Sequence, residues 1–284
     1  LKIKRTLLVG LFSALLLPFV HAQQGLNRNA CGASAQTHEN LNAVLWMRTS
    51  LEYRHTAMQA YRLASLMLDV ALRDNTWTAA LEQSAGYESL PPAVILDVDE
   101  TVLDNSPAQA ATLSNATGMF RGDEWDAWVK QASAKVIPGA ADFLKLAAAK
   151  GVEVFYLTNR ARNQEADTIR NLAAEGLPFA DEDHVLVKGE VPGWGSDKAS
   201  RRRYLASRYR ILLLVGDDAN DFLPGVRAGI AEREHAVAPY ASYLGSKWII
   251  LPNPTYGSWE NALWGGGYAE TREQAMKARC AALP

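Results

Sequence analysis

Residues 93–107 read AVILDVDETVLDNSP. The stretch opens as an apolar run, Ala93-Val94-Ile95-Leu96, and then sets four carboxylates, Asp97, Asp99, Glu100 and Asp104, within eight residues. An apolar run bounded in this way reads as a buried strand. Carboxylates this close repel one another unless they share a proton or a cation. In extended backbone alternate side chains share a side, which puts Asp97 and Asp99 together and turns Val98 away.

The sequence on either side repeats this design. "VEVFYLTNR" (152–160), "DHVLVK" (183–188) and "RILLLVGDD" (210–218) are short apolar runs ending in polar residues. Between them lie "GAADFLKLAAAKG" (139–151), "NQEADTIRNLAAEGL" (163–177) and "SDKASRRRYLASRY" (196–209), which carry helical spacing. Gly151 and Gly176 stop the first two helices, and Ser196 and Asp197 are capping candidates for the third. Continuously apolar strands alternating with helices predict a doubly wound parallel α/β sheet covered on both faces. Upstream, Leu41, Val44, Leu45, Ala57, Tyr61, Ala64, Leu68 and Ala71 recur at three- and four-residue steps with no Gly or Pro in the span. They predict one long or two shorter amphipathic N-terminal helices ending near Asp74-Asn75. A further helix is expected around 76–85, ending at Gly86. There is no internal repeat and no low-complexity tract.

In open parallel sheets, ligands bind beyond the carboxyl ends of the strands. Asp97, Thr158 and Asp217 all fall at such ends, so distant positions converge on one crevice. Asp217 and Asp221, in "GDDANDF", add two oxygen ligands to Asp97 and Asp99. A carboxylate cluster with no His or Cys partner suits a hard cation such as Mg²⁺. Thr158 supplies a hydroxyl, and Lys198 opens the helix after "GWGS". Beside a cation, these two make a phosphate site, because a phosphoryl group needs donors and positive charge around its equatorial oxygens.

Composition sets outer limits. The 284 residues are 48% hydrophobic and 21% charged, ordinary for a globular chain, and the formal net charge of −2 excludes a general binder of nucleic-acid polymers. Lys2, Lys4 and Arg5 precede the apolar run "TLLVGLFSALLLPFV" and the small-residue site "VHA". Residues 1–22 therefore read as a signal peptide cleaved after Ala22, rather than as a membrane-spanning helix, and 23–40 as a linker. Cys31 lacks the apolar context of a lipid-attachment box. The expectation is a periplasmic or secreted protein with no stable membrane anchor. Cys31 and Cys280 are the only cysteines; either they form a disulfide joining the ends of the mature chain, or both are unpaired thiols.

The motifs "DVDET", "TNR", "DK" and "GDDANDF", in this order, resemble those of the haloacid dehalogenase superfamily of aspartate-nucleophile phosphohydrolases. "LWMRTSLEYRHTAMQAYRLA", "DETVLDNSP", "PGAADFLKLAAAKGVEVFYLTNR" and "LPNPTYGSWENAL" are similar to the class C acid phosphatases, the bacterial outer-membrane 5'-nucleotidase type. The resemblance covers nearly all of the mature chain. It implies a Mg²⁺-dependent phosphomonoesterase acting on small phosphate esters such as nucleoside 5'-monophosphates, and its members often dimerise. It implies Asp97 as nucleophile and Asp99 as general acid and base. Asp97, the Asp99 main-chain carbonyl, Asp217 and Asp221 would hold the metal. Thr158, Asn159 and Lys198 would hold phosphate, Lys198 being preferred over its rival Lys188 because it stands in the "DK" pair. Arg160 is expected outside the immediate site, Asp218 outside the ligand set, and Glu100 and Asp104 in the loop and at a helix start. Residues 105–137 have room only for a small helical cap. Trp125 and Tyr256 are the leading candidates to touch substrate, with Trp128 and Trp259 behind them. Phosphotransfer to an alcohol through the same aspartyl-phosphate, or a non-catalytic binding or storage protein on the same scaffold, are the competing readings.

Overall fold

The computed structural model describes residues 38–115 and 119–283. The signal segment, most of the linker and Cys31 lie outside the described residues, and among the described ones no helix is long and apolar enough to cross a membrane.

The N-terminal helices are two, α1 (Leu41–Thr49) and α2 (Leu51–Arg73). They part at Ser50, whose backbone is extended and whose hydroxyl accepts a hydrogen bond from the Tyr53 amide at 3.0 Å, capping α2. The buried face of α2 is Tyr53, Ala57, Tyr61, Ala64, Leu68 and Ala71, the stripe expected from the spacing. It packs on α5 (Ala140–Ala149). Gly139 permits the close approach: a Cβ there would stand 3.0 Å from the Tyr61 Cβ and 3.3 Å from the Met58 Cα, at a φ of +94°.

Five parallel strands form the sheet: β1 (Pro92–Leu96), β4 (Glu153–Ala161), β5 (Val185–Lys188), β6 (Arg210–Gly216) and β7 (Trp248–Ile250). Their spatial order is β5-β4-β1-β6-β7. Leu96 pairs with Tyr156 on one side and Val215 on the other, so β1 is central and its carboxyl end opens between its neighbours. The chain winds outward from β1 to β5 and then crosses to β6. That reversal leaves a crevice beside the end of β1. Helices α6 (Glu165–Ala174) and α7 (Ala199–Ala206) complete the crossovers. The architecture is the doubly wound α/β fold.

A short antiparallel pair, β2 (Leu103–Asp104) and β3 (Lys135–Val136), follows β1 and brackets α3 (Ser106–Thr112) and α4 (Gly122–Gln131). This is the only room the chain gives to a cap between β1 and β4. Beyond β6 come α8 (Ile230–Val237), α9 (Ser258–Asn261) and α10 (Arg272–Ala281). Arg272 and Arg279 of α10 donate to the two carboxylate oxygens of Glu39 at 2.7 and 2.8 Å, tying this helix to the start of α1. Cys280 is exposed on α10, and its suggested disulfide partner Cys31 is outside the described residues.

Two expectations fail. Residues 76–85 are not a helix. Their polar groups are committed to β6 instead: the Ala79 amide donates to the Ile211 carbonyl (2.8 Å) and the Trp77 indole to the Leu212 carbonyl (2.8 Å). Gln83 Oε1 accepts from the Ile211 amide (3.0 Å). β7 pairs only with Leu214–Gly216, so this segment covers the part of β6 that β7 does not reach. Backbone groups satisfied from outside override a modest local helical preference. The second correction is β7 itself, a fifth strand too short to stand out in the sequence.

Candidate active site

Backbone geometry delivers the charged residues to one place. β1 ends at Leu96, and the Asp97 amide donates to the Val215 carbonyl of β6 at 2.9 Å, so Asp97 is still held in sheet register. β6 ends at Gly216, followed at once by Asp217. Asp218 starts a 3₁₀ turn, Ala219–Asp221, which folds Asp221 back over the strand end. Gly216 is required there, since a Cβ would lie 2.2 Å from Asp221 Oδ2. Lys198 comes from the start of α7, where Asp197 Oδ1 accepts from the Ala199 amide at 2.7 Å.

The result is a carboxylate cluster around one ammonium. Asp97, Asp217 and Asp221 each present an oxygen, all within 4.8 Å of one another. Lys198 Nζ donates to Asp97 Oδ1 and, at 2.7 Å, to Asp221 Oδ1. Burial pushes the Asp97 carboxyl up to about 7, with the charges of Asp221 and Asp99 adding to it and Lys198 opposing. Burial likewise raises Asp217 well above the carboxylate range, reinforced by Asp97, and raises Asp221. Burial pulls the Lys198 ammonium down, but Asp221 and Asp97 outweigh it, and the net shift is upward. Asp217 is further fixed by Asn253 Nδ2 (2.8 Å) and the Thr101 hydroxyl (3.1 Å). All-oxygen donors carrying more negative charge than one lysine offsets fit a divalent cation.

Asp99 belongs to a different environment. Its Oδ1 accepts from Arg160 Nε (2.9 Å), Arg160 Nη2 (2.8 Å) and Asn105 Nδ2 (2.9 Å), and its Oδ2 from the Thr158 hydroxyl (3.3 Å). The Asp99 carboxylate is therefore not part of the three-carboxylate cluster; the ligand expected from this residue is its main-chain carbonyl. Arg160, expected outside the immediate site, is instead 2% exposed and clamps the carboxylate. Thr158 is fully buried and borders Asp99. Asn159 turns toward the loop before α7: its Nδ2 donates to the Ser196 carbonyl (3.1 Å) and its Oδ1 accepts from Arg201 (2.7 Å). Asn159 thus braces the segment that carries Lys198. Arg201, on α7, is fully buried; it also donates to the carbonyls of Thr158 and Leu186, tying β4 and β5 to α7. Lys188 lies half-buried at the end of β5.

Glu100 lies in the loop between β1 and β2, as expected, but it is fully buried there, with φ +58°. Burial, with Asp99 next, raises its carboxyl to about 8. The Tyr256 hydroxyl donates to its Oε2, and the Asn105 amide to its Oε1 at 2.9 Å. Tyr256 therefore reaches the rim of the site through Glu100. Trp125 lies on α4 with the Arg160 guanidinium 5.5 Å from its ring centre, and Phe120 packs against it at 6.4 Å. Trp128 donates its indole N–H to Asn105 Oδ1 at 2.7 Å and serves the interior. Trp259 is 41% exposed and donates to the Tyr256 carbonyl at 3.1 Å. Asp218 caps the turn and accepts from the Ser258 amide and hydroxyl, and Asp104 caps the start of α3 through the Ser106 amide.

A carboxylate cluster with a buried lysine at the switch point of a doubly wound sheet, faced by a separately clamped aspartate, defines an α/β phosphohydrolase. Residues 21–259 match the family described as HAD superfamily, subfamily IIIB (acid phosphatase). The chain is similar to the class C acid phosphatase from Bacillus anthracis, with 35% identity, a TM-score of 0.77 and coverage of 88% of this chain and 98% of that one. A second structure of that enzyme, with tungstate bound, matches at 34% identity and a TM-score of 0.75, covering 89% and 98% of the two chains. Acid phosphatase 1 of Solanum lycopersicum is 28% identical over 168 residues, a match spanning 57% of this chain and 57% of that protein. The chain belongs to the subfamily IIIB acid phosphatases of the HAD superfamily.

Proposed function

We propose that this protein is an exported, Mg²⁺-dependent acid phosphatase that hydrolyses small phosphate monoesters, nucleoside 5'-monophosphates among them, through an aspartyl-phosphate on Asp97. The observation that carries the reading is the meeting of Asp97, Asp217, Asp221 and Lys198 within one cluster at the end of β1. A solved relative binds tungstate, a tetrahedral oxyanion, which supports a phosphate-type ligand for this chain.

The Asp97 amide is held to β6 and its Oδ1 is held by Lys198, and this carboxylate attacks phosphorus. Lys198 neutralises charge on the nucleophile and, with the Thr158 hydroxyl, holds phosphoryl oxygens. Asp99 protonates the leaving oxygen and then takes the proton of the attacking water. Asp97, Asp217, Asp221 and the Asp99 carbonyl would hold Mg²⁺. When bound, the cation offsets the repulsion between an anionic nucleophile and an anionic ester. The basic, apolar and small-residue pattern of residues 1–22 supports export.

Phosphate release from nucleoside monophosphates, sugar phosphates and aryl phosphates, with Mg²⁺ and with EDTA, tests the reading. Release that EDTA abolishes and Mg²⁺ restores is expected. Release unaffected by EDTA would remove the metal from the proposal. Transfer of the phosphoryl group to an added alcohol in preference to water would make the protein a phosphotransferase.

A further inference from the structure

Asn105 follows the motif residues and is fully buried. Every polar atom of its side chain is engaged. Nδ2 donates to Asp99 Oδ1 at 2.9 Å, and Oδ1 accepts from Trp128 Nε1 at 2.7 Å and Arg160 Nη2 at 3.4 Å. These partners fix which way the amide points. A flipped amide would set its NH₂ against an indole N–H and a guanidinium, and its carbonyl against a carboxylate. Its main-chain amide donates to Glu100 Oε1 at 2.9 Å, so the residue is held from both ends.

We propose that Asn105 is a positioning residue for the acid–base step, aiming Asp99 and joining it to the cap helix α4; this rests on the reading of Asp99 as general acid. The three N–H donors on Asp99 Oδ1, two from Arg160 and one from Asn105, occupy that oxygen. Oδ2, beside Thr158, is the oxygen left to exchange a proton with the leaving group. Arg160 on β4 and Asn105 before α3 reach Oδ1 from two different elements, so together they fix where that oxygen sits, and the Thr158 hydroxyl on Oδ2 sets the rotation about it. Through Trp128, Asn105 also makes the orientation of the acid depend on where α4 sits. Fixing a carboxylate by donors whose own rotamers are locked is what a proton-transfer geometry demands.

The discriminating measurement is kcat/KM across p-nitrophenyl, phenyl and ethyl phosphate in saturating Mg²⁺. This quantity reports steps up to departure of the alcohol, and a good leaving group departs without a proton while ethoxide does not. Asn105→Ala is expected to lose about tenfold or more on ethyl phosphate and within about threefold on p-nitrophenyl phosphate, a share of the roughly 10²–10⁴ a general acid supplies. Asn105→Leu matches the amide in size, adds no charge and removes the donor to Asp99. It is expected to show the same leaving-group dependence and carries the test if the alanine variant does not fold. Asp99→Asn is the reference. If Asp99→Asn shows the leaving-group dependence while both Asn105 variants lose equally on all three esters, Asn105 is merely structural and the proposal is overturned. If Asp99→Asn itself loses equally on all three, the reading of Asp99 as the acid is what fails.

Discussion

The two sides of the crevice treat negative charge in opposite ways. On the β4 side a single carboxylate, Asp99, is met by a guanidinium, an amide and a hydroxyl from Arg160, Asn105 and Thr158. On the β6 side three carboxylates, Asp97, Asp217 and Asp221, share one ammonium. The first is compensated by fixed protein donors. The second is left short of positive charge inside a buried pocket, where that deficit costs most. The contrast matches the chemistry assigned to each: an acid–base group needs a defined orientation, whereas a metal and phosphate site needs an unmet demand for cations. Each side can be tested by changing the balance of charge on it.

The largest effect is expected from the nucleophile. Asp97→Asn keeps size and the sheet register while removing the attacking oxygen's charge, so kcat should fall by about 10⁴-fold or more. Intact-mass analysis after mixing with substrate should show an added phosphoryl group on the wild type and none on the variant. Near-wild-type turnover by Asp97→Asn would remove the aspartyl-phosphate from the scheme.

Next comes the charge deficit itself. In metal-free protein Asp97 is raised to about 7 and Asp217 and Asp221 are raised as well. Groups whose folded pKa lies above the unfolded value of about 4 stabilise the fold while protonated; that stability is fully present below the unfolded pKa and is lost as pH rises through the folded one. Glu100, raised to about 8, acts in the same direction. In EDTA, the melting temperature should therefore fall between pH 5 and pH 8. Mg²⁺ should raise it most at the alkaline end, by several degrees, since about 2.7 kcal/mol follows from metal at 100 times its Kd. A melting temperature that rises with pH in EDTA would mean that the β6 side is not the strained one.

Among the described residues, Lys198 is the cation that donates directly to these carboxylates, and replacing it tests the balance from the other direction. Lys198→Met should lower kcat/KM by roughly 10²–10³-fold, the scale of losing one charged stabiliser of a developing anion. Lys188→Met, half-buried at the end of β5 and outside the carboxylate cluster, should stay within about twofold. Equal losses from the two would show that Lys198 acts through general charge rather than contact.

The sequence made the β6 side far more legible than the β4 side, for a physical reason. Asp97 and Asp217 sit at the ends of apolar runs, with Asp221 four residues on, and there periodicity alone announces a strand end and topology brings strand ends together. Lys198 needed family motifs to separate it from Lys188. Asn105, Arg160 and Glu100 act through directions of side chains that periodicity does not encode. Glu100 is a loop residue whose burial is hidden in the sequence, because it depends on a left-handed φ and on Tyr256, 156 positions away. Arg201 looks like part of a solvated basic face because four carbonyl and amide acceptors, contributed by other segments, are invisible in "SRRRY". The segment at 76–85 fails similarly: its hydrogen bonds are paid by β6, not by itself.

The smallest expected effect concerns how the β4 side meets substrate. Trp125 covers Arg160 at 5.5 Å and packs against Phe120, so its ring borders the residue that clamps Asp99. If it also stacks on the ester, Trp125→Ala should raise KM for nucleoside and aryl phosphates by about tenfold, within the roughly 1–3 kcal/mol of an aromatic–base stack. KM for an alkyl phosphate should barely move. If the ring only shields Arg160, the loss is a cation–π contact of about 0.5–1 kcal/mol, and all esters should suffer alike, through kcat. The ratio of the two KM changes therefore decides whether the β4 side merely orients its acid or also selects the ester.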